Sequence, residues 1–532
     1  MLKEGKLWIG RAEDGREACI LPGMANRHGL VCGATGTGKT VTLKVMAESF
    51  SAMGVPVFMA DVKGDIAGMM EPGTDTEDMQ RRIKKFGLAE AGFSYSGCPV
   101  TLWDILGKKG IPLRTTISEI GPMLLSRILS LNDLQSDILS IIFRIADEGR
   151  LLLIDTKDLK AMLSWVSDHH EQYEGTYGKI SAASVGAIIR SIVALEAEGG
   201  DVFFGEPALN MSDWLTAGGG KGMIHILDAS SLISNGRLYS TFLLWMLSEL
   251  FETLPEVGDR AKPKMVFFFD EAHLLFDGPS KVLLDKIEQV VKLIRSKGVG
   301  VYFCTQSPRD IPDGVLSQLG NKVEHALRAY TPADQKAVKA AAQSFRPNPA
   351  FDTYEAITTL GTGQAVISFL DEHGVPGIAE TVSILPPQCS MAGISDARRD
   401  QSIKDSLLYS KYAGAYDPES AYEFLERLGQ EEAAARLKEA EAAIREKERA
   451  CEEKEKAKQE EREAKARERA RAAETRARNR AIKSLGSTVL GTVGRQVGQS
   501  MGKSMGGSFG RTMGGNIGAS LLRGIFGTLF KG

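Results

Sequence analysis

The sequence has no Cys-x-x-Cys pair, no apolar run long enough to span a bilayer, and no acidic residue after position 480. Its six cysteines (Cys19, Cys32, Cys98, Cys304, Cys389 and Cys451) are scattered, three of them in or beside strand-like apolar stretches. That distribution supplies neither a thiolate metal site nor a disulfide framework, and it fits reduced thiols. Residues 1–10, MLKEGKLWIG, lack the apolar stretch of a secretory leader, and no segment approaches the roughly 18 consecutive apolar residues of a membrane span. The expected location is the cytoplasm. A global excess of positive charge is missing too. The net charge is −3, and the six basic residues of 481–532 (Lys483, Arg495, Lys503, Arg511, Arg523 and Lys531) leave −9 for residues 1–480. An acidic body carries no overall signature of nucleic-acid binding, so any contact with DNA has to come from a local patch such as the lumen of a ring.

What the chain does have is length and ordinary composition. At 532 residues, 43% hydrophobic and 25% charged, it exceeds a single compact core, which implies one large folded domain with appended material. Short apolar runs recur at Gly29–Cys32, Val55–Ala60, Met223–Leu227, Met265–Phe269, Gly300–Cys304, Val323–Leu327 and Gln364–Phe369. Continuous rather than alternating apolar character belongs to strands covered on both faces, so the expected class is α/β with a mostly parallel sheet.

Residues 73–215 interrupt these runs with apolar residues at helical spacing, as in Ile120, Met123, Leu124, Ile128 and Leu131, and read as a mainly helical insertion. The core is then expected to comprise residues 1–72 and 216–390, followed by a linker and long charged helix over 391–480. From Glu419 to Arg480 there is no proline and one glycine, Gly429. Leu437, Ile444 and Cys451 fall seven apart until Lys458 ends the seam, which leaves a short coiled coil and a solvated helix held by charge pairs both open. Residues 481–532 repeat every four, with Val493, Val497, Met501, Met505 and Phe509 each followed by a glycine. A glycine ridge beside an apolar one permits close backbone approach. Self-association and docking of the basic tail on an anionic membrane face both fit this pattern.

The chemistry-bearing residues are more specific. Gly33, Ala34, Thr35, Gly36, Thr37, Gly38, Lys39 and Thr40 satisfy GxxxxGK[ST] between an apolar run and an apolar helix pattern that begins at Val41. Glycines let backbone N–H groups close around phosphates at a helix N-terminus, where Lys39 reaches the terminal phosphates of ATP and Thr40 contacts Mg2+. Met265–Phe269 ends on Asp270 and Glu271. Asp270 is the expected second Mg2+ contact, and Glu271 the residue that polarises an attacking water. Gly300–Cys304 runs into Thr305, Gln306 and Ser307, with Gln306 placed to sense a terminal phosphate.

Asn26-Arg27-His28 before the phosphate loop, Val57-Phe58-Met59-Ala60-Asp61-Val62-Lys63-Gly64-Asp65 after it, and Phe269-Asp270-Glu271-Ala272-His273 and Cys304-Thr305-Gln306-Ser307-Pro308 downstream together resemble the HerA-like ATPases of the HerA/FtsK superfamily. The likeness spans about residues 5–390 and is greatest to a bacterial branch. It implies a RecA-like P-loop core, a homohexameric ring, and ATP hydrolysis coupled to movement along double-stranded DNA as a translocase or helicase. It also implies that Asp61 lies close to the nucleotide, and that Arg27 and Arg295 are directed at a bound nucleotide, Arg295 from the neighbouring subunit. Archaeal members carry a β-barrel before the phosphate loop that helps the ring form and bind a nuclease. Only 32 residues precede the loop here, so no barrel is expected, and a nuclease or other effector partner remains an implication of the family. A different class of function also fits the acidic body and basic tail: a membrane-associated or scaffold ATPase whose hydrolysis switches assembly.

Overall fold

Strands that are apolar on both sides need cover on both faces, and the fold supplies it. The computed structural model describes residues 1–215, 217–230, 236–258, 260–276 and 281–484. They form a compact unit, Met1–Ala434, and a second unit that begins at Ala435.

The strands are β1 (Leu2–Lys3), β2 (Lys6–Ala12), β3 (Glu17–Ile20), β4 (Gly29–Cys32), β5 (Val57–Asp61), β6 (Val100–Asp104), β7 (Ile111–Pro112), β8 (Ala217–Gly218), β9 (Lys221–Gly222), β10 (Ile224–Asp228), β11 (Met265–Phe269), β12 (Val299–Thr305), β13 (Asn321–His325), β14 (Gln364–Ser368) and β15 (Glu380–Ile384). All but β8 and β9 join one sheet, ordered β1-β2-β15-β14-β13-β4-β12-β11-β5-β10-β6-β7 with β3 paired to β2. From β13 to β7 every pairing is parallel; β14, β15, β2, β1 and β3 extend the sheet antiparallel. All seven apolar runs read from the sequence are strands of this sheet.

Alternate side chains enter opposite cores, as the period of two demands. Leu30, Phe58, Phe267 and Phe269 belong to one cluster, and Val31, Val57, Met59, Val266 and Phe268 to the other. The helix α1 (Lys39–Ala52) covers the second face through Leu43, Val45, Met46, Ala47 and Phe50. On the first face lie α9 (Gly236–Thr253) and α11 (Lys281–Ile294), the ninth and eleventh α-helices in chain order, together with helices of the 117–203 region.

Two departures from the sequence reading have physical causes. The stretch 73–215, expected to be mainly helical, also carries β6, which pairs with β10 inside the main sheet. Its Val-Thr-Leu-Trp-Asp sequence is too short and too mixed to separate from helical surroundings. Met123, apolar and at helical spacing with Ile120, is 52% exposed, whereas Ile120 is buried. Gly121 adopts φ 71° and ψ 165° ahead of Pro122, which has no N–H to donate, so the helix Ile117–Ile128 breaks and its face rotates. Residues 1–20, within the expected core segment 1–72, join the main sheet through the β2–β15 pairing.

The long helix α17, the last α-helix, runs from Ala421 to Ser484. Leu437 and Ile444 on it are 64% and 44% exposed, and Cys451 is exposed, so no other described part of this chain covers that seam. Among the described residues no single helix is long and apolar enough to cross a membrane. The glycine-repeat tail, beyond residue 484, lies outside the described residues.

Phe58 is fully buried, with its ring centroid 5.0 Å from that of Trp214 and 5.4 Å from that of Phe267. Phe58→Ala should therefore cost about 3–5 kcal/mol and lower the thermal midpoint measurably. Leu437→Ala, on the exposed helix, should shift that midpoint little.

Candidate functional site

Parallel pairing brings the C-terminal ends of β13, β4, β12, β11 and β5 to one edge of the sheet, where ligands of open α/β sheets bind. The loop after β4 is built around two close approaches. A Cβ on Gly33 would stand 2.5 Å from the Cβ of His325, and one on Gly38, at φ 117°, would stand 3.3 Å from Gly363. The amide of Ala34 donates to Ala326 O (2.9 Å), and Gly363 N donates to Thr37 O (3.0 Å), tying the loop to its neighbours. Thr35 and Gly36 face solvent at the crest. The Lys39 ammonium curls over the loop, donating to Gly33 O (2.6 Å) and Ala34 O (3.1 Å).

Gly38 caps α1 without a side-chain hydrogen bond. Thr42 N donates to Gly38 O, so the N–H groups of Lys39, Thr40 and Val41 have no intrahelical acceptor, and the positive end of a fourteen-residue helix points into the loop. This is the cradle that a polyphosphate requires.

Two strands away, β11 delivers Asp270 and Glu271. The Asp270 carboxyl is buried and accepts from Glu271 N (2.9 Å). Burial first, and the neighbouring Glu271 charge second, raise its pKa above the usual carboxylate value. Glu271 adopts φ 48°, a sparsely populated conformation for a residue with a side chain. The turn that forces it is anchored to β12 by Ala272 N donating to Cys304 O (2.9 Å). Three groups face the Glu271 carboxylate. Gln306 Nε2 donates to Oε2 (3.4 Å), His273 Nδ1 lies 3.4 Å from Oε2, and Lys63 Nζ lies 3.7 Å from Oε1. Gln306 is therefore brought to Glu271, on a loop held by Asp310, whose Oδ2 accepts from Ser307 N (3.1 Å).

No cluster of three or more His, Cys, Asp or Glu side chains suited to a metal occurs among the described residues. Mg2+ does not need one, because it usually binds through one or two protein oxygens together with phosphates and water. Thr40 and Asp270 are a donor set of that kind.

The strand ends also place Asp61, Arg27 and Arg295. The Asp61 carboxylate accepts from Gly64 N (2.7 Å), Ile66 N (2.9 Å) and Ala67 N (3.3 Å); it organises the Lys63 loop. Arg27 precedes β4, and Arg295 precedes β12 with its carbonyl 3.5 Å from Asn26 Nδ2. Both lie at the N-terminal edge of the sheet. The seven residues of β12, at about 3.3 Å each, put roughly 20 Å between that edge and the phosphate loop, so neither arginine meets this chain's own site.

Two residues behind the loop carried no motif signal. His325 accepts from Thr42 Oγ1 at Nε2 (2.8 Å) and donates from Nδ1 to Gln364 O (2.9 Å), and burial pushes its pKa down to about 4. Glu324, paired in register with Cys32, is wholly buried with Oε1 unpartnered, and burial pushes its pKa up to about 8. Only the tertiary placement of β13 beside β4 reveals them.

A phosphate cradle on the central strand of a parallel sheet, with an acidic pair two strands away, defines a P-loop NTPase. The chain belongs to the Helicase HerA-like C-terminal family, whose profile matches residues 6–514. It is 21% identical over 353 residues to the DNA double-strand break repair helicase HerA of Sulfolobus acidocaldarius, covering 64% of this chain and 62% of that protein. To the protein of the same name from Sulfurisphaera tokodaii it is 22% identical over 378 residues, 69% of this chain and 67% of that one. The chain thus spans less than two thirds of the first relative's length. Among solved structures, the bacterial conjugative coupling protein TrwBdeltaN70 superposes with a TM-score of 0.48 at 15% identity, over 74% of this chain and 93% of that one.

Glu324 gives this site a pH signature. Its folded pKa of about 8 exceeds its ordinary value near 4.5. Its stabilising contribution is therefore complete below pH 4.5 and is lost as pH rises through about 8, with a slope of at most about 1.4 kcal/mol per pH unit. Glu324→Gln, which keeps the shape without the proton, should gain thermal stability relative to wild type across that window. A pH-independent difference in melting temperature would show that Glu324 is not the titrating group.

Proposed function

We propose that this chain is a Mg2+-dependent ATPase that assembles as a homohexameric ring and moves along double-stranded DNA. The single observation that carries the ATPase reading is the convergence on one sheet edge of the phosphate loop, Asp270, and a Glu271 carboxylate already bonded to Gln306. In this reading Gly33–Val41 bind the phosphates through backbone N–H groups and the α1 terminus, and Lys39 exchanges its loop carbonyls for the terminal phosphates. Thr40 and Asp270 would hold Mg2+, which supplies charge neutralisation between the phosphates. Glu271 orients and polarises the attacking water, and Gln306 links that carboxylate to the end of β12.

The ring is supported by the placement of Arg27 and Arg295. A residue at the edge opposite the phosphate loop reaches a nucleotide only if the next subunit packs head to tail, the arrangement that closes into rings. An arginine supplied that way withdraws charge from the phosphates only in the assembled particle. The DNA reading rests on family membership and on the helicases among the relatives; a nuclease or other effector would be a further partner. The basic charge of residues 481–532 favours a second reading, attachment of a switching ATPase to an anionic membrane face. Liposome binding that disappears with those residues, alongside turnover indifferent to DNA, would select it.

Lys39→Ala should weaken ATP binding by tenfold or more, about 1.4 kcal/mol, in a direct binding titration. Glu271→Gln should bind ATP normally and abolish steady-state turnover. Arg295→Ala should hydrolyse slowly at near-normal affinity, and adding Lys39→Ala subunits, which retain the arginine, should restore part of the rate. Wild-type turnover should rise on adding duplex DNA at low salt and lose that stimulation as salt increases; turnover unaffected by duplex at any salt would exclude the translocase reading.

A further inference from the structure

The Asp61 loop has a conformation that a simple strand-to-helix connection does not need. Both oxygens of a buried carboxylate are spent on the amides of Gly64, Ile66 and Ala67, which folds residues 61–67 into a tight cap and leaves Lys63 at its crest. Lys63 is exposed, its side chain 42% accessible, yet its ammonium stands 3.7 Å from the largely buried carboxylate of Glu271 on the neighbouring strand. Its charge also reaches Asp270, where it acts against the rise caused by burial.

The Glu271 carboxylate is therefore held from two sides. Gln306 and His273 address Oε2, and Lys63 addresses Oε1. Of the three, Lys63 carries a permanent charge and arrives from a different strand, β5. With φ at 48°, the Glu271 backbone is in a sparsely populated conformation, and a carboxylate that must place a water needs its plane fixed from outside.

We propose that Lys63 is a positioning residue for Glu271, and that the Asp61 cap exists to present it. This rests on the ATPase reading above and deepens it by assigning the loop after β5 to the orientation of the water-activating carboxylate. Lys63 acts through Glu271 and makes no contribution to holding the nucleotide in the ground state, which separates it from Lys39.

The test is steady-state hydrolysis of Mg2+-ATP by full-length Lys63→Met and Lys63→Arg, paired with equilibrium binding of ATP to each. Because the side chain is exposed, both variants should fold, which thermal melting checks. Lys63→Met should lower kcat by about tenfold to a hundredfold while leaving ATP affinity within about threefold of wild type. Lys63→Arg, which keeps the charge, should recover most of the rate. The proposal is overturned if Lys63→Met turns over within about twofold of wild type or faster, if its affinity falls as much as its rate, or if Lys63→Arg is as slow as Lys63→Met. Failure in any of these ways with an active wild type leaves the ATPase reading standing; a wild type without Mg2+-ATP turnover removes both.

Discussion

Parallel pairing of β4 between β12 and β13 is the constraint on which the rest of this structure depends. Strands running the same way must finish on the same edge, so whatever residue follows each apolar run is delivered to one place. The phosphate loop after β4, Gln306 after β12, the acidic pair after β11 and the Lys63 loop after β5 share an edge for that reason alone. The same rule sends Arg27 and Arg295 to the other edge, because both precede their strands. Burial on both faces is the companion requirement, and it accounts for the two apolar clusters, one on each face of the sheet.

Those facts explain which parts of the molecule could be read from the chain. Runs that are apolar throughout, such as Met265–Phe269, announce strands buried on both sides, and every such run became one. Strands at or near the sheet margins are quieter. β15 reads Glu-Thr-Val-Ser-Ile with only its third and fifth residues buried, and β2 contains Gly10 and Arg11 and pairs with three neighbours. β6 has Thr101 beside Leu102 and Trp103 and lies between helical segments. Their hydrophobic pattern is set by neighbours far away in sequence, which local periodicity does not contain. The phosphate loop was legible because its chemistry is local: glycines where backbone must approach, then a lysine and a threonine opening a helix. Glu324 and His325 were not, because their significance comes from the register of β13 against β4.

Asp61 and the arginines show a different limit. Sequence order places Asp61 next to the site and the structure agrees on position, yet its oxygens are engaged by three backbone amides. Proximity is a property of topology, whereas availability is a property of hydrogen bonding, and only the first is encoded by spacing. Arg27 lies close to the phosphate loop in sequence but is separated from it by the whole length of β4. A strand is straight, so residues on either side of it are held apart rather than brought together.

Four neighbouring strands make the point in its strongest form. β5, β10 and β6 end on an aspartate, Asp61, Asp228 and Asp104, and β11 is followed by one, Asp270, all at the same edge. By pattern alone any of them could be the metal-facing acid. Asp104 accepts from the amides of Leu106, Lys108 and Lys109, and Asp61 from three amides of its own. Asp228 accepts from Ser230 and lies within ion-pair distance of Lys109 and Arg399. These three are compensated by the protein for the loss of water, as buried carboxylates must be. Asp270 has one backbone donor, that of Glu271, with the Cys304 thiol as a further partner, and burial raises its pKa as it does that of Asp61. A buried carboxylate with one amide and one thiol partner, next to a second acid in a strained backbone conformation, is one that a cation at the site would stabilise. Asp61 and Asp104 are each closed off by three amides of their own loops, whereas Asp270, on the edge shared with the phosphate loop, is not.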